Sequence, residues 1–111
     1  MKKGEIWEVD LNPVKGSEQA GKRPVLIVSG DLLNTYAKVV WICPLTTKIK
    51  NYAGNIILKP SLQNGLKHKS EVLNLHLRAV SKARLVNKIG LVGKAELEIV
   101  RKGINEILAM D

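Results

Sequence analysis

Short apolar runs alternate with polar segments along most of the chain, a pattern typical of strands joined by loops. The first run contains Ile6, Val9 and Leu11 and ends at Pro13, because proline lacks a backbone donor and restricts the residue before it. A long polar loop through Lys22 follows. The later strands are predicted at residues 24–29, 39–45, 55–58, 70–77 and 88–91.

Two of these strands carry further expectations. The run VVWICPL at residues 39–45 is continuously apolar, which indicates burial on both faces of a sheet. A strand at residues 70–77 turns successive side chains to opposite faces, and this places His76 on the same face as Arg78.

Helical signals occur in two places. Asp31 is suited to cap a short helical turn that begins at Leu32. Apolar residues recur every three or four positions from Leu97 to Leu108, which predicts a helix over residues 94–109.

These elements predict the fold class. Five or six short strands and one terminal helix favour a mainly β fold with helices (α+β), in which the C-terminal helix covers a small, strongly bent antiparallel sheet or partial barrel. With 111 residues, we expect one domain over residues 1–111 and no room for separate cofactor and substrate domains.

The charge balance indicates an anionic partner. The chain has 18 lysines and arginines against 10 aspartates and glutamates, a formal charge of +8. Nucleic acid is the first expectation, although a basic surface can also serve solubility alone. Aromatic residues make up only 4% of the chain, which argues against a surface of successive base-stacking platforms.

The cysteine and histidine content excludes several chemistries. Cys43 is the single cysteine, so an internal disulfide is impossible, and its apolar neighbours indicate a small buried hydrophobe. With His68 and His76 as the two histidines, no zinc-ligand spacing is present and we expect no bound zinc or other transition metal. Magnesium held by carboxylates and phosphates stays open.

We expect no targeting segment at the N-terminal residues. Glu5, Glu8 and Asp10 interrupt the apolar residues where a signal peptide would be continuous. No apolar run approaches the roughly 20 residues that span a bilayer. We therefore expect a cytoplasmic protein without membrane association.

Residues 16–28, GSEQAGKRPVLIV, are the most informative segment about function. Small and polar residues that cannot build a core pass directly into an apolar run suited to a buried strand. Arg23 lies at the junction, so a cation is placed at the start of a strand.

Four sequence pieces occur in order along the chain: GEIWEVDLNPVKGSEQAGKRPVLIVS, DLLN, PLTTKIK and LRAVSKARL. By these pieces and their spacing, nearly the whole chain resembles the MazF/PemK toxin family, whose members have an SH3-like barrel related to the gyrase poison CcdB. The resemblance implies the toxin of a type II toxin–antitoxin system, a metal-independent endoribonuclease without a cofactor. It also implies single-stranded RNA as substrate, inhibition of translation and growth, a homodimer, and a cognate antitoxin with an acidic C-terminal tail.

The resemblance also implies a site. The family's essential arginine, in a G-x-R-P motif, falls on Arg23, and its essential threonine, in a P-L-T motif, falls on Thr46. The loop associated with the RNA groove falls on Ser17, Glu18 and Gln19. The remaining predicted RNA contacts are Lys22, Thr47, Lys48, His76 and Arg78.

Several of these contacts have a second interpretation. Glu18 is either a solvated carboxylate or an acceptor for a base edge such as the cytosine amino group. Arg78 either holds a flanking phosphate or pairs with a carboxylate. A sequence-independent attraction for RNA is expected from Lys15, Lys22, Lys48 and Lys50.

The residue types fit RNA cleavage by internal transfer, in which the 2′-hydroxyl attacks its own phosphate and leaves 2′,3′-cyclic phosphate and 5′-hydroxyl ends. The guanidinium of Arg23 can donate two parallel hydrogen bonds to phosphate oxygens. The neutral hydroxyl of Thr46 suits orientation more than proton abstraction. The general base stays unassigned, because arginine is protonated at neutral pH.

His76 departs from the family pattern, which usually has glutamine within EQIR where this chain reads LHLR. Imidazole either replaces the amide as a hydrogen-bonding contact or adds acid–base capacity, since the reference pKa of histidine is about 6.5. Leu75 replaces an acidic residue, so no recognition sequence is transferred.

Two alternatives to the nuclease remain. If the changes at Leu75 and His76 disable the site, the chain is an RNA-binding module without cleavage. A CcdB-like poison would instead bind a protein such as gyrase without Arg23 and Thr46 chemistry. CcdB-type poisons rely on a tryptophan near the C-terminus, whereas this chain ends INEILAMD, so the resemblance favours the nuclease.

Overall fold

The computed structural model describes residues 1–10 and 21–109. The strands of this part are β1 (Glu5–Asp10), β2 (Lys22–Ile27), β3 (Val39–Thr46), β4 (Ile57–Leu58), β5 (Ser70–Val72), β6 (Arg78–Ser81) and β7 (Leu85–Leu91). The helices are α1 (Asp31–Tyr36) and α2 (Lys94–Leu108), with 3₁₀ turns at Asn74–His76 and Lys82–Arg84.

The strands form one curled antiparallel sheet in the order β4-β5-β3-β2-β1-β7. The first half of β3 pairs with β6, and its last two residues pair with β5, so β3 turns the sheet onto itself. The β1–β7 ladder has two register shifts, which increase its twist. The result is a half-barrel with a C-terminal helix, the α+β architecture predicted from the sequence.

Alternating apolar residues supply two cores, one on each face of the sheet. The first packs under α2, and its buried members are Ile6, Leu26, Cys43, Leu45, Leu58, Val72, Val92 and Val100. The second, here called the inner cluster, consists of Val9, Val25, Ile27, Val40, Ile42, Val80 and Leu85. Each large apolar side chain contributes about 1.5–3 kcal/mol when fully buried.

Cys43 is buried in the first core, as its apolar neighbours predict. Burial raises the pKa of its thiol to about 12. The thiol therefore stays protonated and acts as a small hydrophobic side chain.

The predicted strand at residues 70–77 is wrong beyond its third residue. β5 ends at Val72, and the buried Asn74 donates from Nδ2 to the carbonyl of Gly54 at 3.0 Å. The backbone N–H of His76 then returns to the carbonyl of Leu73, closing a 3₁₀ turn. A buried polar side chain that bonds to a distant loop breaks the alternation on which the prediction rested.

Other boundaries also differ from the sequence predictions. β6 was not predicted, and β7 begins at Leu85 rather than near residue 88. α1 forms where a helical turn was expected, but its N-cap is Gly30, and Asp31 instead accepts from the backbone N–H of Lys3 at 2.9 Å.

The two-sided burial predicted for residues 39–45 holds only toward the end of β3. Val39 and Trp41 are 36% and 42% exposed, whereas Ile42, Cys43 and Leu45 are buried. The first half of β3 therefore has one apolar face in contact with solvent.

The helical part of the described chain contains no membrane span, because neither α1 nor α2 is long and apolar enough to cross a bilayer.

Candidate active site

Arg23 and Thr46 lie at the same end of two neighbouring strands. β2 and β3 are antiparallel, with Val25 opposite Pro44. Arg23 is two residues before Val25, and Thr46 is two residues after Pro44. The register pairs these strands as far as Val25 and Pro44, so Arg23 and Thr46 each lie two residues beyond the last pair, at the same end of the two strands.

The two side chains also share a face of the sheet. Side chains two residues apart along a strand point to the same side. The side chain of Arg23 therefore lies on the same face as Val25, and the side chain of Thr46 lies on the same face as Ile42. Val25 and Ile42 both belong to the inner cluster. Arg23 and Thr46 are half-buried at the end of that cluster.

The guanidinium of Arg23 is placed by its strand and left without a described counter-ion. Arg23 lies opposite Val9 of β1, so sheet pairing on that side fixes its backbone. Within residues 1–10 and 21–109, no carboxylate forms an ion pair with Arg23. A phosphate group can therefore approach it without displacing a described acidic side chain.

Thr46 is the last residue of β3, and its hydroxyl is oriented by a short turn. Its Oγ1 accepts a hydrogen bond from the backbone N–H of Lys48 at 3.1 Å. A hydroxyl that accepts from the backbone keeps its own hydrogen for another acceptor. Thr46 thus presents a fixed donor suited to a phosphate oxygen.

Exposed polar and basic residues flank this pair in sequence. Lys22 precedes Arg23, and Thr47 and Lys48 follow Thr46, with all three partly or fully exposed. Ammonium groups at such positions attract the RNA backbone irrespective of its sequence. Three of the predicted RNA contacts therefore lie around the Arg23–Thr46 pair at one end of the sheet.

Part of the predicted site lies outside the described residues. This part comprises Lys15, Ser17, Glu18 and Gln19. Their contacts with RNA stay predictions.

The expectation that His76 and Arg78 share one strand face is wrong. His76 ends the 3₁₀ turn, and Arg78 begins β6 opposite Ile42. Arg78 is exposed on the face of Ile42, and Thr46 lies four residues farther along β3, about 13 Å away for an extended strand. The described carboxylates form no ion pair with Arg78, which favours its role as a contact for a flanking phosphate.

The two hypotheses for His76 make different predictions for the variant His76→Gln. The imidazole is exposed and makes no hydrogen bond to a described residue, so no described group aims it at Arg23 or Thr46. We expect the pH–rate profile of cleavage to keep its shape, with a change of less than about threefold in rate, as for a substituted contact. Loss of one limb of the profile in the variant would instead assign acid–base catalysis to His76.

An apolar pocket of about 470 Å³ lies elsewhere on the molecule, between α2, α1 and β3. Leu33, Trp41, Leu77, Leu97 and Ile104 contribute to its lining. Neither Arg23 nor Thr46 lines it, so the pocket is separate from the candidate active site.

The candidate site offers no cluster of metal ligands among the residues that the structure describes. That part of the chain includes no group of three or more His, Cys, Asp or Glu side chains placed to hold a metal ion.

One residue next to the site was missed by sequence reasoning. Glu71 lies in β5 directly opposite Thr46 and is completely buried. The sequence interpretation placed it only on a strand face. The available signal was an acidic residue immediately before the apolar residues Val72 and Leu73, where a strand was predicted.

Comparison with known proteins agrees with this geometry. The family model for the PemK-like, MazF-like toxin of type II toxin–antitoxin systems matches residues 2–108. The chain belongs to this toxin family. The resemblance identified from four sequence pieces is therefore confirmed.

A curated relative and two solved structures locate the chain within the family. Endoribonuclease MazF9 of Mycobacterium tuberculosis is 34% identical over 102 residues, covering 87% of this chain and 86% of the relative. MazF from Deinococcus radiodurans superposes with a TM-score of 0.80 at 26% identity, covering 99% of this chain and 97% of that structure. A mycobacterial endoribonuclease in complex with its cognate antitoxin has a TM-score of 0.78 at 22% identity, covering 100% and 95%.

These comparisons confirm the predicted fold class and enzyme class. The family's half-barrel with a C-terminal helix is the fold of this chain. The curated relatives of this chain are endoribonucleases.

Proposed function

We propose that residues 1–111 form one toxin domain that cleaves single-stranded RNA at short sequences without a metal ion or another cofactor, and that Arg23 and Thr46 carry the chemistry. The observation that carries this proposal is the placement of a half-buried arginine and an oriented threonine hydroxyl at the same end and on the same face of adjacent strands. A protein charge of +8 supports an RNA substrate.

In the proposed mechanism, the nucleophile belongs to the RNA. The 2′-hydroxyl gives up its proton to solvent as its oxygen bonds to the adjacent phosphorus. The bond from phosphorus to the 5′-oxygen breaks and the 5′-oxygen takes up a proton from solvent, leaving a 2′,3′-cyclic phosphate and a 5′-hydroxyl. Arg23 stabilises the additional negative charge on the phosphoryl oxygens by two parallel hydrogen bonds. Thr46 donates to a phosphate oxygen and holds the phosphate in line with the 2′-hydroxyl.

Membership in the toxin family supports the proposed cellular setting. A type II toxin acts with a cognate antitoxin, and an acidic, partly disordered tail of that antitoxin fits the basic residues around Arg23 and Thr46. Such a tail would exclude RNA from the site. We therefore expect the protein to act in the bacterial cytoplasm, where cleavage of messenger RNA would inhibit translation and growth.

The homodimer is part of this proposal, and exposed apolar side chains support it. Leu32 and Tyr36 of α1 are 77% and 81% exposed, and Trp41 lines the pocket to which α1 also contributes. A second copy seated on this surface would remove these groups from water. We therefore expect a dimer of two 12.3 kDa chains.

The variant Trp41→Glu is expected to be monomeric, because a carboxylate on the proposed dimer surface must be desolvated when two copies associate. Leu62→Glu is the matched control, since Leu62 is fully exposed and does not line the pocket. Light scattering measures the mass, and circular dichroism checks the fold. A monomeric wild-type protein, or a Trp41→Glu protein that stays dimeric, would contradict this surface assignment.

Expression of the chain in bacteria without its antitoxin tests the proposed function. We expect growth arrest with transcripts cut at one recurring short sequence, and normal growth with intact transcripts for Arg23→Ala. Growth arrest with intact transcripts would point to a poison that binds a protein target.

A further inference from the structure

Glu71 is a buried carboxylate in contact with the segment that follows Thr46. Its side chain is completely buried, and its Cα pairs with that of Thr46 across β5 and β3. Cross-strand partners carry their side chains on the same face of the sheet. Glu71 therefore lies beside Thr46 but is not exposed to RNA.

The two oxygens of Glu71 accept four hydrogen bonds from one loop. Oε1 accepts from the backbone N–H groups of Lys50 at 2.8 Å and Asn51 at 3.0 Å. Oε2 accepts from the backbone N–H of Tyr52 at 2.9 Å and from Nδ2 of Asn55 at 2.9 Å. Three consecutive backbone donors therefore converge on one charged group, and these hydrogen bonds constrain the conformation of the loop.

The charge on Glu71 is retained despite its burial. Burial alone would raise the pKa of this carboxyl, but the donors from Asn55, Lys50, Asn51 and Tyr52 outweigh it and lower the pKa to about 2. A buried carboxylate without such donors would be strongly unfavourable. The loop and the carboxylate thus hold each other in place.

The loop is joined to the hydroxyl of Thr46 by a short path. The carboxylate of Glu71 accepts a hydrogen bond from the backbone N–H of Lys50. Two residues before Lys50, the backbone N–H of Lys48 donates to Oγ1 of Thr46. Residues 46–50 are therefore fixed at one end by β3 and at the other by the carboxylate. Asn51 has a φ of 56°, a left-handed conformation that a loosened loop would leave readily.

A second set of contacts supports the other end of this loop. Asn74 donates from its backbone N–H to Oδ1 of Asn55 at 3.3 Å and from Nδ2 to the carbonyl of Gly54 at 3.0 Å. Gly103 of α2 lets these groups approach, because a Cβ there would contact Nδ2 of Asn74 and come within 2.6 Å of the Gly54 carbonyl oxygen. The loop is therefore packed against α2 as well as against β5.

We propose that Glu71 is a positioning residue for RNA cleavage: its buried carboxylate fixes residues 47–52 and thereby orients the Thr46 hydroxyl and Lys48 toward the scissile phosphate. The inference rests on the proposed function of Thr46. Glu71 touches no RNA in this arrangement and acts through the loop.

The variant Glu71→Gln tests this role with almost no change in shape. An amide has one acceptor oxygen and an NH₂ donor group, so donors that faced one carboxylate oxygen lose their acceptor. We expect the single-turnover rate at saturating RNA to fall about 10-fold or more. Affinity for the same RNA with a 2′-deoxy nucleotide at the mapped cut should change less than about threefold.

Glu5→Gln is the matched control. Glu5 is also buried, and its carboxylate accepts from the N–H of Lys2 and from Nε1 of Trp7, both at 2.9 Å, and pairs with Lys88 at 3.1 Å. It lies at the opposite end of β1 from the residue that pairs with Arg23. Glu5→Gln should lower the melting temperature, yet keep the cleavage rate of the folded protein within about twofold.

An exchange of acid and amide between Glu71 and Asn55 provides a rescue. In the double variant Glu71→Gln/Asn55→Asp, the amide introduced at position 71 can donate to the new carboxylate while its oxygen accepts from Lys50 and Asn51. Glu71→Gln is expected to lower the logarithm of the single-turnover rate relative to wild type. We expect the double variant to recover at least about a third of that difference. A purely structural role predicts that the rates of folded Glu71→Gln and Glu5→Gln are both unchanged, and that result would overturn the proposal.

Hydrogen exchange in the wild-type protein tests the geometry without any variant. The amides of Lys50, Asn51 and Tyr52 should exchange at least about 100-fold more slowly than unprotected amides, and fast exchange would refute a fixed loop. Thr46→Val separates the two proposals. If the Thr46→Val protein keeps full activity, the proposed active site is wrong. If Thr46→Val loses activity while Glu71→Gln keeps full activity, only the positioning role of Glu71 is rejected.

Discussion

Replacement of Arg23 by alanine is expected to reduce the rate of RNA cleavage by at least about 10²- to 10³-fold, because the phosphoryl oxygens lose their principal charge-stabilising donor. The fold should be retained, since Arg23 is half-buried at the start of β2 and forms no ion pair with a described carboxylate. Single-turnover kinetics at saturating RNA measure the rate, and circular dichroism measures the fold.

Two further variants separate geometry from charge at this position. Arg23→Lys keeps the charge but not the planar pair of donors, so we expect it to recover only a small part of the rate. Lys22→Ala removes the neighbouring exposed cation and should weaken binding of all RNA sequences while leaving the rate at saturation nearly unchanged. If the Arg23→Ala protein cleaves at the wild-type rate, Arg23 has no catalytic role and is only a charged residue at the surface.

Thr46→Val should lower the rate by about 10²-fold, because valine has the shape of threonine but cannot donate to a phosphate oxygen. The lost hydrogen bond to the backbone N–H of Lys48 has little effect on stability, since this bond is exposed and water can replace the hydroxyl. Thr46→Ser restores the hydroxyl and should bring the rate to within about 10-fold of the wild-type value.

The control for Thr46 is a threonine away from the site. Thr35 of α1 donates from its hydroxyl to the carbonyl of Asp31 at 2.7 Å and is exposed, so Thr35→Val tests the loss of a hydroxyl alone. It should cleave at the wild-type rate. Equal cleavage rates for Thr46→Val and the wild-type protein would show that the Thr46 hydroxyl has no role in cleavage.

The strands next to the site could be predicted because their side chains alternate between two environments. Val25 and Ile27 face the inner cluster, and Leu26 faces the core under α2, so β2 is buried on both faces. The sequence places Arg23 at the start of this strand and Thr46 at the end of another. Their proximity could not be predicted from pattern alone, because it depends on the register between β2 and β3.

The segment after β5 shows why other parts could not be predicted. Glu71 and Asn74 are polar residues in an otherwise apolar run, and alternation treats each as a residue on one face of a strand. Both instead turn inward to hold the loop that contains Gly54 and Asn55. Their partners in this loop are 16 and 20 residues away in sequence, so no local pattern identifies them.

The family resemblance supplied what the pattern could not. It aligned Arg23 and Thr46 with one site before any register was known, and the structure places them at the same end of adjacent strands. It gave no role to Glu71, whose contribution follows from hydrogen bonds that only the folded chain reveals.

The most direct measurement is the chemistry of the RNA ends produced in EDTA by the wild-type protein, Arg23→Ala and Thr46→Val. We expect cuts at one recurring short sequence that survive EDTA, carry 2′,3′-cyclic phosphate and 5′-hydroxyl ends, and are lost or greatly reduced in both variants. Ends with a 5′-phosphate, or cleavage that stops in EDTA, would contradict internal transfer and point to a metal-activated water. No cutting by folded wild-type protein would contradict the ribonuclease itself.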